Sequence, residues 1–288
     1  MTQPDDIFIE RFHFIEFLLL FTGKFTRSAL VKRFNIGEAT ASRTIAAYLN
    51  NHPSHVQYQG PRSGYHLKED AVLGTNWDAE AALKYIAYGV LVEQINIKSY
   101  GVKKILLHKP LNTKIVATLT SAICMKKFVA IEYISTSSGS KSRTVVPHSL
   151  FESAGAWYFR AYDMDSYEFR TFKFNRVASA LSIKSNTKEN QLINKDVAWH
   201  RMRIVQLAPH PKNKLPNAQL LDLGIQDGEI KELVISEAML GFELINLRVD
   251  CSKNHKLNCF EYPLALMNLD QLEGIDSMHI APGYKTNK

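Results

Sequence analysis

The period of the hydrophobic pattern changes near residue 126, and this change restricts the possible folds most. Upstream, apolar residues such as Phe8, Phe12 and Ile15 recur at helical spacing, whereas Phe128 to Ile134 alternates as a strand does. A chain of 288 residues, 45% of them hydrophobic, has material for two or three compact units and is not disordered. We therefore predict a multidomain α+β protein.

The first 70 residues contain signals for three short helices. Asp5 and Asp6 are predicted to cap a helix that ends at Gly23, and Thr26 is predicted to cap the next one. A tight turn with a glycine then leads into a third helix from Glu38 to Asn50. Two short helices around such a turn are typical of a helix-turn-helix.

A hairpin follows the third helix. Val56 to Gln59 and Tyr65 to Leu67 are predicted strands, and Gly60 to Gly64 is a turn, which makes the segment a winged helix. In this module the third helix enters the major groove, where an arginine can reach guanine or phosphate, while a cation at the wing can reach the backbone or minor groove. The predicted DNA contacts are Arg27, Thr40, Ser42, Arg43, Thr44, Arg62 and Ser63.

Charge supports this prediction. The net charge of the chain is +7, and Lys24 to Lys68 contains seven basic residues and only one acidic residue, Glu38. Such a surface attracts polyanions. The alternative is a solvated helical bundle that contacts other proteins, and charge alone does not distinguish the two.

Other composition features exclude some classes of protein. No stretch reaches the roughly 18 apolar residues of a membrane helix, and three cysteines favour a reducing compartment, so we expect a cytoplasmic protein. The spacing of Cys251 and Cys259 is not that of a zinc site, and His52 and His55 are predicted to lie on a surface loop. We expect no metal and no cofactor.

Residues 71–125 are predicted to form a helical connector, interrupted at Pro110, and residues 126–186 to form about five short strands of a small barrel. In the strand region, the segment from Ala156 to Ala161 reads AWYFRA. Together with flanking residues, this segment resembles the WYL domain. The flanking residues are Tyr133, Arg143, Pro147, His148, Phe169 to Phe172 and Asn175 to Val177.

The resemblance implies an Sm-like barrel behind a winged helix, as in bacterial transcriptional regulators. Two positions depart from the family pattern, since Phe159 replaces the leucine of the motif and Asn175 stands where an aspartate is common. Residues 187–288 resemble the C-terminal extension (WCX) that takes part in dimerisation. The layout resembles the BrxR and CapW type of regulator beside phage-defence operons such as BREX. This implies a homodimeric repressor of an inverted-repeat operator in double-stranded DNA.

The strand layout also predicts a ligand site. Arginine presents a planar fork suited to phosphate, and aromatic rings can stack on bases, so we expect a nucleotide or nucleic-acid fragment as an anionic ligand that relieves repression. Trp157 and Tyr158 are adjacent and point to opposite faces, and we assign Trp157 to the core. The predicted pocket residues are Tyr133, Ser135, Arg143, His148, Tyr158, Arg170 and Arg176.

Four segments result: a winged helix-turn-helix domain (1–70), the connector (71–125), the barrel (126–186) and a dimerisation domain (187–288). Two alternatives remain open. One is an enzyme acting on nucleic acid, with Asp163, Asp165 and Glu168 around a metal, although no catalytic spacing supports it and these acids suit a solvated turn. The other is an activator of the same architecture.

Overall fold

The computed structural model describes residues 4–74, 77–89 and 109–285, with side chains from residue 8 onward. The chain divides into two compact units. The first consists of Met1–Leu150 and Phe159–Lys188, and the second of Phe151–Tyr158 and Glu189–Lys288. Within the described ranges, no helix is both long enough and apolar enough to cross a membrane.

The first unit begins with a winged helix. Its sheet has the strand order β1-β3-β2, and both pairings are antiparallel. The two-residue strand β1 was not predicted, because it is too short to show an alternating pattern. The elements are α1 (Pro4–Thr22), β1 (Lys24–Phe25), α2 (Arg27–Phe34), α3 (Glu38–Asn51), β2 (Val56–Tyr58) and β3 (Tyr65–Leu67).

Local sequence explains these boundaries. Gly23 follows α1 with φ of 75°, and the Thr26 side chain accepts a hydrogen bond from the backbone N–H of Ala29, as predicted. The predicted Asp5 and Asp6 cap is wrong, because α1 begins at Pro4 and both acids lie inside its first turn. At the end of the wing, a Cβ on Gly64 would lie 2.3 Å from the carbonyl oxygen of Phe25, so only glycine fits there.

The winged-helix core lies between α1, α2 and α3. Ile15, Leu19, Leu30 and Tyr48 are all fully buried in it. Helices α4 (Ala79–Tyr88) and α5 (Thr113–Met125) pack against neighbouring parts of the first unit. They confirm helix in part of the predicted connector, while residues 75–76 and 90–108 of it lie outside the described residues.

A five-stranded sheet with the order β7-β6-β5-β4-β8 follows. The predicted closed barrel is wrong for the described chain, because the edge strands β7 and β8 do not pair with each other. Only one 3-10 turn separates them, and β8 pairs at once with β4. The strands are β4 (Phe128–Ser135), β5 (Gly139–Ser153), β6 (Ala156–Asp163), β7 (Glu168–Lys173) and β8 (Val177–Ile183).

The second unit is built on a four-stranded mixed sheet with the order β10-β9-β12-β11, in which only β11 and β12 pair in parallel. Its core includes Leu207, Leu240 and Met278, all fully buried. The elements are α6 (Val197–His200), β9 (Met202–Pro209), α7 (Asn217–Leu223), β10 (Lys231–Ser236), α8 (Leu240–Asn246), β11 (Val249–Asp250) and β12 (Leu264–Leu266).

Candidate nucleic-acid interface and ligand site

The exposed face of α3 carries the polar residues that the sequence singles out. Ser42 and Arg43 are exposed, and the Arg43 guanidinium lies 3.4 Å from the hydroxyl of Thr40, one turn earlier. Arg27, at the start of α2, donates a hydrogen bond to the Ser42 hydroxyl at 3.4 Å and pairs with Glu38 at 3.0 Å. The structure therefore brings four of the seven predicted DNA contacts onto one polar surface.

Thr44 is not part of that surface, and its prediction as a DNA contact is wrong. Its side chain is fully buried, and its hydroxyl donates a hydrogen bond to the Thr40 carbonyl at 3.1 Å. The burial arises because residues 41, 44, 45 and 48 form the inward stripe of α3. A hydroxyl residue could not be assigned to one face from its polarity alone.

The wing carries the two remaining predicted contacts, and they differ. Arg62 is exposed at the hairpin tip, whereas the Ser63 hydroxyl is hydrogen-bonded to the ring of His66 at 2.7 Å. Ser63 therefore stabilises the hairpin. Tyr58 on β2, which was not predicted as a contact, is 58% exposed. Together with Arg27 and Ser42 it lines a groove of about 430 Å³ between α3 and the wing.

The predicted pocket residues of the five-stranded sheet do not meet in one place. Arg143 pairs with Asp163 at 2.5 Å, and the Arg143 side chain is only 14% exposed. Asp163 is fully buried and also accepts a hydrogen bond from the backbone N–H of Asp165. The expectation that Asp163 is a solvated turn residue is therefore wrong, and most of Arg143 is enclosed in the sheet.

Tyr133 and His148 lie on opposite faces of this sheet. Tyr133 is buried against Phe172, and its hydroxyl accepts a hydrogen bond from the backbone N–H of Lys173 at 3.1 Å. The His148 ring lies 5.5 Å from that of Phe169, three residues before Phe172 on β7. Because side chains alternate along a strand, Phe169 and Phe172 lie on different faces of the sheet. Tyr133 therefore lies on the face of Phe172, and His148 lies on the face of Phe169.

Arg170 and Arg176 are the more accessible cations here. Arg170 is exposed and pairs with Glu168 at 3.0 Å, while Arg176 is partly exposed in the 3-10 turn after β7. Burial, and then the Arg176 charge, lower the pKa of Lys173, so two cations lie close together. Lys173 was not among the predicted contacts, although residues 170–176 contain three cations. Ser135 instead accepts a hydrogen bond from the N–H of Ser137 and shapes a turn.

Trp157 and Tyr158 belong to the second unit. Trp157 is buried, as predicted. Tyr158 is half-buried, and its ring lies 5.2 Å from Phe151 and 4.8 Å from Phe242. Tyr158 was predicted to line the pocket, but these contacts place it in aromatic packing because the hairpin of residues 151–158 is part of the second unit.

Known proteins resemble both parts of the first unit. Residues 8–84 match the BrxR transcriptional regulator winged helix-turn-helix domain, and residues 114–181 match the WYL domain. The DNA-binding transcriptional repressor CapW of Escherichia coli (strain KTE188) is 27% identical over 91% of this chain and 89% of that protein. CapW of Pseudomonas aeruginosa is 28% identical over 70% of this chain and 69% of its own length.

Proposed function

Because the chain contains a BrxR-type winged helix-turn-helix domain and a WYL domain, we propose that it is a DNA-binding transcriptional repressor. The observation that carries this proposal is the polar face of α3, where Ser42 and Arg43 are exposed beside Arg27. A helix with such a face can read base edges in the major groove. The protein then acts in the cytoplasm, on double-stranded DNA.

The test is fluorescence anisotropy with the DNA immediately upstream of the protein's own gene and a scrambled duplex of equal length, at several salt concentrations. We expect a preference of about a thousandfold or more for the upstream DNA, the lower range for specific binders. Equal, salt-sensitive binding to both duplexes would show only a basic surface, and it would contradict repression of the protein's own gene. By the resemblance to BrxR and CapW, the regulated genes are those of a phage-defence operon.

We propose that the repressor is a homodimer through its second unit. The sheet of that unit exposes an apolar patch, in which Ile204 on β9 is paired with Val234 on β10 and the two are 50% and 64% exposed. Met202, two residues before Ile204, is 52% exposed. Such a patch is typical of a surface that a partner covers.

Sedimentation velocity tests the dimer. Val234→Lys is expected to shift the sedimenting species from dimer to monomer. Asp222→Lys, at an exposed position of α7, is the control and is expected to leave the dimer intact. Two copies related by a twofold axis require an inverted-repeat operator. A wild-type protein that sediments as a monomer at assay concentrations would contradict both the dimer and the palindromic operator.

The ligand proposal concerns the cations after β7. We propose that a nucleotide or short nucleic-acid fragment binds Arg170 and Arg176, and that it favours a dimer geometry with lower operator affinity. The proximity of Arg176 to Lys173 supports an anionic ligand, because a bound phosphate reduces the repulsion between the two positive charges and accepts hydrogen bonds from both. Arg143 is less suited to this role, since its ion pair with Asp163 is largely buried, whereas the pair of Arg170 with Glu168 is exposed.

Operator release by added nucleotides and oligonucleotides tests this proposal. Arg176→Ala is expected to keep operator affinity and lose the response, while Lys184→Ala, an exposed cation at the end of β8, keeps both. Loss of operator binding in well-folded Arg176→Ala would contradict a division between DNA-binding and ligand-binding residues.

A further inference from the structure

Three side chains outside the proposed DNA contacts lie close together near the C-terminal end of α3. Glu16 comes from α1, His52 is the residue that ends α3, and His55 lies in the turn before β2. One ligand-type atom of each lies within 4.8 Å of the others. As predicted, both histidines lie in the loop between α3 and β2, and their side chains are partly buried there.

Surrounding aromatic residues hold this cluster in place. The rings of His52 and His55 stack with centroids 4.6 Å apart and an interplanar angle of 17°. The hydroxyl of Tyr48, a fully buried side chain, lies 2.9 Å from Nδ1 of His55, and the edge of Phe12 packs on His52. The hydrogen bond to Tyr48 occupies Nδ1 of His55, so Nε2 is the ring nitrogen that remains for a metal ion.

The ligand atoms of Glu16 and His52 are not occupied by other polar groups of the described residues. Across the part of the chain that the structure describes, no ion pair or hydrogen bond engages the Glu16 carboxylate or the His52 ring. These two groups therefore lie within 4.8 Å of each other with no hydrogen bond or ion pair to the described residues.

We propose that Glu16, His52 and His55 bind one divalent transition-metal ion of the zinc class. Two imidazoles and one carboxylate form a ligand set that zinc uses, with water at the fourth position. At Zn–N distances of about 2.0–2.1 Å, tetrahedral ligand atoms lie about 3.4 Å apart. The half-buried side chains therefore need to approach one another by about 1.4 Å from the 4.8 Å spread. Tyr48 orients His55 as an outer partner of the metal.

The metal joins α1 to the end of α3 and to the turn that leads into the wing. None of the three ligands lies on the exposed face of α3, so the site stabilises the winged helix without occupying the DNA-binding surface. The metal site can be tested separately from DNA binding, because zinc affinity and thermal stability are measured on the protein in the absence of DNA.

The test uses the full chain without a histidine tag, stripped with chelator, and titrated with ZnCl₂ by calorimetry. We expect one zinc per chain and a rise in Tm of several degrees, because a ligand that binds only the folded state stabilises it. Glu16→Gln changes charge but not volume, and it is expected to weaken zinc binding at least about tenfold, the scale on which even outer partners act.

Matched variants separate this site from others. Glu10→Gln and His13→Ala, on exposed positions of α1, are expected to bind zinc as the wild type does, and so is Cys124→Ser, which removes an exposed thiol. His52→Gln, checked for folding by circular dichroism, is expected to lose the rise in Tm. Zinc that leaves Tm unchanged, or that binds Glu16→Gln and His52→Gln as tightly as wild type, would overturn the proposal.

Discussion

The winged helix and the five-stranded sheet both carry arginines that the sequence marks for anion binding, but the structure treats them differently. Arg43 and Arg62 are exposed, and within the described ranges neither makes an ion pair. On the sheet, Arg143 is largely enclosed in an ion pair with buried Asp163, whereas the pair of Arg170 with Glu168 is exposed. The presence and spacing of arginines in the sequence therefore do not show which of them is available to a polyanion and which is already neutralised within its own chain.

The largest expected effect concerns the buried pair of the sheet. Asp163→Asn leaves Arg143 as an enclosed charge without its counterion, and breaking a buried pair in this way costs about 3 kcal/mol of the free energy of unfolding. Glu168→Gln removes the partner of exposed Arg170 and is expected to cost less than about 1 kcal/mol. Urea unfolding of both variants measures the difference. Equal losses would show that Arg143 is no more committed to its carboxylate than Arg170.

Removal of Arg43 is expected to reduce operator affinity next most strongly. Arg43→Ala should cost about 1–3 kcal/mol of specific binding, because a bidentate contact with guanine is lost, and leave urea unfolding unchanged. Lys253→Ala, an exposed cation of the second unit, is the control. Anisotropy on the operator and the scrambled duplex measures the effect, and an equal loss on both duplexes would make Arg43 a phosphate contact only.

Thr44 and Ser42 form a matched pair on the same helix. Thr44→Val keeps the side-chain volume but loses the hydrogen bond to the Thr40 carbonyl, so we expect a loss of about 1 kcal/mol in stability and an unchanged operator Kd. Ser42→Ala should do the opposite, with weaker operator binding and the same stability. Weaker operator binding by a folded Thr44→Val variant would show that Thr44 contributes to the DNA interface.

The smallest effect is expected at the wing. We expect exposed Arg62 to contact the DNA backbone, so Arg62→Ala should weaken binding to the operator and to the scrambled duplex alike. The plot of log affinity against log salt should become shallower by about 1, the change expected when one phosphate contact is lost. A loss confined to the operator would indicate that Arg62 reads the minor groove.

The winged helix was predictable because its signals are local. A cap at Thr26, a glycine after α1 and the period of α3 each depend on a few neighbouring residues, and the structure confirms them. The small barrel was only half predictable. Its five strands follow from alternation, but closure depends on whether two edge strands separated by one turn pair with each other, and they do not.

Site residues divide in the same way. The exposure of Arg43 and Arg62 could be predicted from charge and position in a motif, whereas the burial of Thr44 depended on the exact inward stripe of its helix. Tyr133 and His148 could not be placed on faces from their types, because the partner strands decide which face is covered.

By itself, the sequence determined the order of the modules, the helix-turn-helix with its wing and the excess of positive charge around it, because these properties reside in short segments. Only the tertiary structure decided that Asp163 neutralises Arg143 and that Glu16 meets His52 and His55. These contacts join residues from different elements of the fold. Their energies depend on distance and burial, and neither is set before the chain has packed.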